Sequence, residues 1–264
     1  SRLRQVHPEG TILMHGGGNL GDRYGAHQAL RAQVLSDFPD RRVLLLPQSM
    51  EFLDERHAVA MARAFAAHRN FTLCLREQQS HAAAQRLFGD TNAVEFCPDA
   101  AFGAGPVAVV GRPQVALLAL LRTDGERVPR DYPFLETATV TDWHLTTSAR
   151  TAWRATEAAL RICRRSNSGG ALGVQQRLYG AQAHLNLAKA TRVLSTGRTI
   201  FTDRLHAAIL AALLGLPVIA MDNNYGKIYA VYDSYLRTLP RVYFAHSVSE
   251  AQQQMRDLAV LPSC

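Results

Sequence analysis

The stretch Thr199–Lys227, TIFTDRLHAAILAALLGLPVIAMDNNYGK, restricts the fold more than any other part of the chain. Thr199–Thr202 is short, β-branched and aromatic, which predicts a strand. Thr202 or Asp203 can cap a helix whose apolar face is Leu205, Ile209, Ala212 and Leu213. Gly215 ends that helix, and Leu216–Met221 reads as the next strand. A strand, a tight turn, a helix and a second strand make a βαβ unit, so this part of the chain belongs to a parallel sheet. Arg204, Leu205 and His206 then fall in the first helical turn, at the C-terminal edge of the sheet. That turn has unpaired N–H groups and the positive end of the helix dipole, and it attracts anions. Arg204 adds a guanidinium fork and His206 a titratable imidazole. A phosphate or carboxylate ligand fits such a place.

The rest of the chain alternates in the same way. Strands are expected at Thr11–His15, Arg42–Pro47, Phe71–Arg76 and Val94–Cys97. Helices are expected near Tyr24–Ser36, Asp54–His68 and Glu77–Phe88. Gly103-Ala104-Gly105-Pro106 reads as a hinge. Beyond it come strands at Val115–Leu121 and Thr137–Asp142, a helix over Thr146–Arg165, a Gly-rich loop at Ser166–Gly173 and a helix over Gln175–Leu194. After the central stretch follow a helix near Ile228–Leu236, a strand at Arg241–Phe244 and a last helix at Ser249–Leu258. The expected fold is α/β, with two Rossmann-like, doubly wound halves facing a cleft. Residues 1–105 form the first half and 106–264 the second. Ligands of such sheets bind off the C-terminal strand edges.

Charge is unevenly placed. Up to Gly105 the chain has 11 Lys and Arg against 11 Asp and Glu; from Pro106 onward it has 18 against 11. The surplus shares the second half with the candidate anion site and fits an anionic partner. Exposed arginines around one helix are the plainer explanation. Cys74, Cys97, Cys163 and Cys264 show no paired spacing and point to no oxidising compartment. No signal peptide or membrane-spanning apolar run is read, and the expected location is cytoplasmic. The basic helix Arg150–Arg165 and the last helix offer faces for a partner or for the inner membrane surface, although solvated faces are the simpler reading.

Several strand tips carry polar groups. GGGNLGD, Gly16–Asp22, follows a strand; its glycines, Gly17 and Gly18 among them, let a backbone approach a ligand closely. Asn19 and Asp22 stand at the following helix entrance. The motif is neither a Walker loop nor a dinucleotide fingerprint, and a tight turn with Asp22 as helix cap is the structural alternative. Arg122 and Asp124 follow a buried strand. Arg76-Glu77 and Asp99 also lie on strand tips, with a structural role favoured for Arg76-Glu77. No His/Cys/Asp cluster has zinc spacing, and no nucleophile elbow is present. Neither a metal nor a cofactor is expected.

Together, GGGNLGD, the PQS at Pro47–Ser49, the Arg76–Ser80 segment REQQS, Asp99–Phe102, Leu121–Asp124 and the Thr202–Lys227 block resemble the polysaccharide pyruvyl transferases. The resemblance runs from Gly16 to about Leu236. It implies a fold similar to GT-B glycosyltransferases and phosphoenolpyruvate as donor, with pyruvate attached to two sugar hydroxyls as a ketal and phosphate released. Arg122, Arg204, the Leu205 N–H and His206 correspond to the family's donor site, with Lys227 a further contact. The acceptor glycan, free or lipid-linked, is expected near Asn19 and Asp22. His206 is the expected general acid, and Arg204 holds negative charge on the departing phosphate. Two competing readings stand beside this one. A GT-B glycosyltransferase using a nucleotide sugar needs a ribose-binding acid, for which Asp222 is the nearest residue. A nucleic-acid-binding module conflicts with the lack of aromatics interleaved among the basic residues.

Overall fold

The computed structural model describes residues 2–125, 127–143, 147–165, 169–222 and 226–260. The chain divides into two compact units, Ser1–Gly105 with Gly226–Thr238, and Pro106–Tyr225 with Leu239–Cys264.

The first unit opens with a short helix α1 (Arg2–Val6) and strands β1 (Ile12–Met14) and β2 (Gly17–Gly21). It continues through α2 (Gly25–Asp37), β3 (Val43–Glu51), α3 (Glu55–Ala66), β4 (Phe71–Leu75), α4 (Gln78–Phe88) and β5 (Ala93–Phe96). All pairings are parallel. β1 and β2 follow each other along one edge of β3; β4 and then β5 lie on the other side. Strand order therefore climbs steadily from one edge to the other. Right-handed crossovers then put every connecting helix on one face. The core agrees: Leu35 of α2, Met61 and Phe65 of α3, and Ala84 and Phe88 of α4 pack with Val43, Leu45, Phe71, Leu73 and Leu75. Among the described residues this sheet is singly wound, which corrects the doubly wound expectation for the first half. Alternation of strands and helices reveals the parallel sheet but not the direction in which each new strand is added.

GGGNLGD also departs from expectation. Gly17–Gly21 is a strand with a register shift against β3, not a turn. Glycine is required at its end: Gly21 has φ +143°, and a Cβ there would lie 1.7 Å from the Glu51 carbonyl oxygen.

The second unit contains β6 (Val115–Leu120), β7 (Thr139–Thr141), α5 (Thr147–Arg165), α6 (Gly169–Leu194), β8 (Gly197–Thr202), α7 (Leu205–Leu213) and β9 (Val218–Ala220). Then come α8 (Lys227–Ser234), β10 (Val242–Phe244) and α9 (Val248–Asp257), with α8 falling in the first unit. The parallel sheet has the order β10-β9-β8-β6-β7. The chain steps from β6 outward to β7, then returns to the far side of β6 with β8 and goes on to β9 and β10. This sheet is doubly wound, and its order reverses between β6 and β8. Leu117, Ala119, Phe201 and Ile219 pack with Phe134, Ala251 and Met255 on one face. α7 lies against β8 and β9 and also against α6, its Ala207, Ala208 and Ala211 fully buried. α6 runs from Gly169, so the part of the expected Gly-rich loop that is described, 169–173, is helical; residues 166–168 lie outside the described residues.

Residues 226–238 correct the expected second half, 106–264. α8 lies against α4, with Ile228 and Val231 buried. The main-chain N–H of Gln78 donates to Ser234 Oγ (2.9 Å), and that of Asp99 to the Tyr235 hydroxyl (3.1 Å). Edge contacts from Phe96 and Phe102 hold the Tyr235 ring.

Candidate active site

In the second unit the polar residues gather where strand order reverses, the position at which open α/β sheets bind ligands. β6 and β8 pair side by side to Leu120 and Thr202, so the residues that follow emerge together. Thr202 Oγ1 donates to the Leu120 carbonyl (2.7 Å) and accepts the Arg204 N–H (3.0 Å). Asp203 Oδ1 accepts the Arg122 N–H (2.9 Å), which ties the two strand tips together. Arg204, in extended conformation, is the N-cap residue of α7; Leu205 and His206 open the helix. His206 is exposed and Arg204 half-buried.

The two arginines share one carboxylate, Asp124. Arg122 forms a bidentate pair with Asp124, Nε at 2.8 Å and Nη2 at 3.0 Å. Arg204 Nη2 lies 2.7 Å from the Asp142 carboxylate and 3.6 Å from Asp124. Asp142 also accepts from Thr123 Oγ1 and the Trp143 N–H, both at 2.7 Å. Burial acts to raise the Asp142 carboxyl, but the Arg204, Thr123 and Trp143 donors outweigh it and hold it below the usual carboxylate range. Burial wins at Asp203: its carboxyl stands above the usual range despite the Arg122 N–H and the nearby arginines. Arg204 Nε is buried without a hydrogen-bond partner, so one guanidinium N–H is left for an acceptor. Asp124 differs from the other two acids because its side chain is about half exposed, 48%. It lies between both guanidinium groups.

A second polar cluster lies at the strand tips of the first unit. Arg76, Glu77 and Asp99 are all buried. Arg76 reaches Asp99 Oδ2 (2.7 Å), Ser49 Oγ (2.8 Å) and Glu77 (3.8 Å). Ser49 and Ser80 both donate to Glu77, whose carboxyl burial pushes up against the pull of Ser80, Arg76, Ser49 and Lys227. Lys227 Nζ is 3.4 Å from the Gly18 carbonyl. A Cβ on Gly18 would stand 3.2 Å from Arg76 Nη2 and 3.6 Å from Lys227 Nζ, so the missing side chain lets two cations approach the main chain.

The residues expected from sequence thus separate. Arg122, Arg204, Leu205 and His206 share the strand-order reversal of the second sheet. Gly17, Gly18 and Lys227 belong to the first unit, and Lys227 packs with the glycine strand. Asn19 is held inward: Arg31 donates to its side chain and carbonyl, and its N–H meets Gln48 Oε1 at 3.3 Å. Burial lowers the Arg31 guanidinium to about 10. Asp22 accepts the Leu53 and Asp54 N–H groups and lies 2.9 Å from His57 Nδ1, fastening the start of α3. Sequence reading passed over Asp142, although it ends an expected strand in the same way that Arg122 follows one. The buried partner Arg31 carried no such signal. Among the described residues no group of three or more His, Cys, Asp or Glu could hold a metal ion, and no helix is long and apolar enough to cross a membrane.

The polysaccharide pyruvyl transferase family profile matches residues 4–225. The chain is 30% identical over 239 residues to the putative pyruvyl transferase EpsO of Bacillus subtilis, covering 90% of this chain and 73% of that protein. It is 31% identical over 242 residues to pyruvyl transferase 1 of Schizosaccharomyces pombe, covering 86% of this chain and 55% of that one. In fold it is similar to the crystal structure of a functionally uncharacterized protein from Klebsiella pneumoniae, with a TM-score of 0.58, 19% identity, and coverage of 90% of this chain and 75% of the other. The chain belongs to the polysaccharide pyruvyl transferase family.

Proposed function

We propose that the chain transfers the enolpyruvyl group of phosphoenolpyruvate to two hydroxyls of a glycan, forming a pyruvate ketal and releasing phosphate. The observation that carries this reading is the arrangement of Arg122, Asp124 and Arg204 beside the first turn of α7. Two guanidinium groups share one half-exposed carboxylate, and a further guanidinium N–H is unsatisfied. A small ligand carrying a carboxylate and a phosphate meets these donors once Asp124 swings aside. The family's glycan acceptor is assigned to the glycine strand Gly17–Gly21 and Lys227.

The reaction needs a proton at C3 of the donor, which makes C2 electrophilic. One hydroxyl adds at C2, phosphate departs, and the second hydroxyl closes the ketal. The two hydroxyls release two protons; one balances the C3 proton and the other leaves on phosphate. His206, exposed on the first turn, delivers the proton, and Arg122 and Arg204 hold the charge that collects on phosphate.

Thermal denaturation with phosphoenolpyruvate, a nucleotide sugar or an oligonucleotide tests the donor class, since a ligand that binds only the folded state raises the melting temperature. Phosphoenolpyruvate is expected to stabilise. Arg204→Ala should weaken its binding by about 1.5–3 kcal/mol, and Arg204→Lys should recover only part, because a point charge does not replace the fork. Stabilisation by the nucleotide sugar alone, or unchanged donor affinity in Arg204→Ala, overturns the assignment.

A further inference from the structure

The basic surplus of the chain has a single address. Residues 147–194, the α5–α6 hairpin, contain eight Lys and Arg against one acid, Glu157; the remainder of the chain has 21 of each sign. α5 has 19 residues and α6 has 26, packed chiefly on each other. On α5, Arg150, Arg154 and Arg161 follow one stripe at helical spacing, and all three are exposed. Ile162, the residue after Arg161, has 71% of its surface in solvent. On α6, Val174, Ala181, Leu185 and Ala188 recur at helical spacing, with Arg177 and His184 flanking them. All six are exposed, Leu185 at 60%.

A pair of helices that exposes both arginines and large aliphatic side chains has the makeup of an interfacial element. A hydrophilic polyanion would meet the arginines but not the aliphatic groups. We infer that the α5–α6 hairpin docks on an anionic lipid surface. Its arginines face the headgroups, and Ile162, Val174 and Leu185 enter the acyl boundary. With the rest of the chain balanced in formal charge, the attraction acts through the hairpin and orients the protein as well as holding it.

The test is co-sedimentation of the full chain with phosphatidylcholine vesicles, with and without about 30% phosphatidylglycerol. Binding is expected only to the anionic vesicles and is expected to fall in high salt. Each basic residue near such a surface tightens binding by roughly fivefold. The double variant Arg154→Glu/Arg161→Glu should therefore lose at least about tenfold, and Leu185→Asp should also weaken binding, with unchanged circular dichroism for both. No binding to anionic vesicles overturns the inference. So does vesicle binding indifferent to Leu185→Asp and matched by heparin or an oligonucleotide, which would mark a general polyanion surface. A dimer that Leu185→Asp dissociates, without vesicle binding, would make the apolar stripe a contact between copies and also overturns it.

Discussion

The main-chain N–H of Arg122 donates to the Asp203 carboxylate at 2.9 Å, joining the tip of β6 to the tip of β8. The bond spans the point where strand order reverses and fixes the spacing between the two arginine-bearing turns. Asp203 thereby serves as a main-chain acceptor between the two turns.

Asp124 is the first residue to test. If its carboxylate occupies the place of the donor's anionic group, Asp124→Ala should bind phosphoenolpyruvate about three- to tenfold more tightly. Stability should change by less than about 1 kcal/mol, since the pair with Arg122 is partly solvated. Calorimetry and thermal denaturation on the same preparation check both. Weaker donor binding would instead make Asp124 a contact of the substrate.

His206→Gln retains a polar side chain of similar reach but cannot deliver a proton near neutral pH. Turnover should fall by about a hundredfold to ten-thousandfold, with donor affinity changed by less than about tenfold. Single-turnover rates with an acceptor glycan, paired with donor calorimetry, separate the two effects. Near-normal saturated turnover with a large loss of binding would make His206 a phosphate ligand and move the acid elsewhere.

In the first unit, Arg76→Met should cost about 3–5 kcal/mol of stability, because it leaves Asp99 and Glu77 buried without their cation. Asp99→Asn should cost less, as an amide still accepts from Arg76. Urea denaturation gives the comparison, and equal, small effects would show that solvent reaches the cluster.

Acid should weaken the second unit through Asp142. Its carboxyl lies below the usual range in the folded protein, so its contribution is complete above the unfolded carboxylate value and is lost as pH falls through the lower folded one. The stability gap between the parent chain and Asp142→Asn should accordingly shrink as pH falls below about 4. Glu77 and Asp203, held above the usual range, act in the opposite sense: they favour the folded chain more once protonated. A gap constant from pH 7 to pH 2 would mean that Asp142 is not paired as an anion.

Element positions were largely legible in sequence, because apolar periodicity and Gly or Pro punctuation are local signals. Expected strands such as Arg42–Pro47 and Phe71–Arg76 correspond to Val43–Glu51 and Phe71–Leu75. Strand order was not legible. Winding in the first sheet depends on which edge accepts each new strand, and that choice rests on contacts between distant segments. The same limit hid α8's return to the first unit, so Lys227 was grouped with its chain neighbours. Strand-tip reasoning found Arg122 and Arg204, but not that each would have an aspartate partner.

The return of residues 226–238 bears on the order in which the chain can fold. The bonds from Gln78 to Ser234 and from Asp99 to Tyr235 close separations of 156 and 136 residues. Contacts so distant in sequence form late, after most of the loop entropy has been lost. During synthesis the N-terminal unit emerges first, yet it cannot be completed until nearly all of the other unit has been made. Until then the side of α4 that receives α8 stays open, and the nascent chain passes through a stage in which its earliest segment is its least finished.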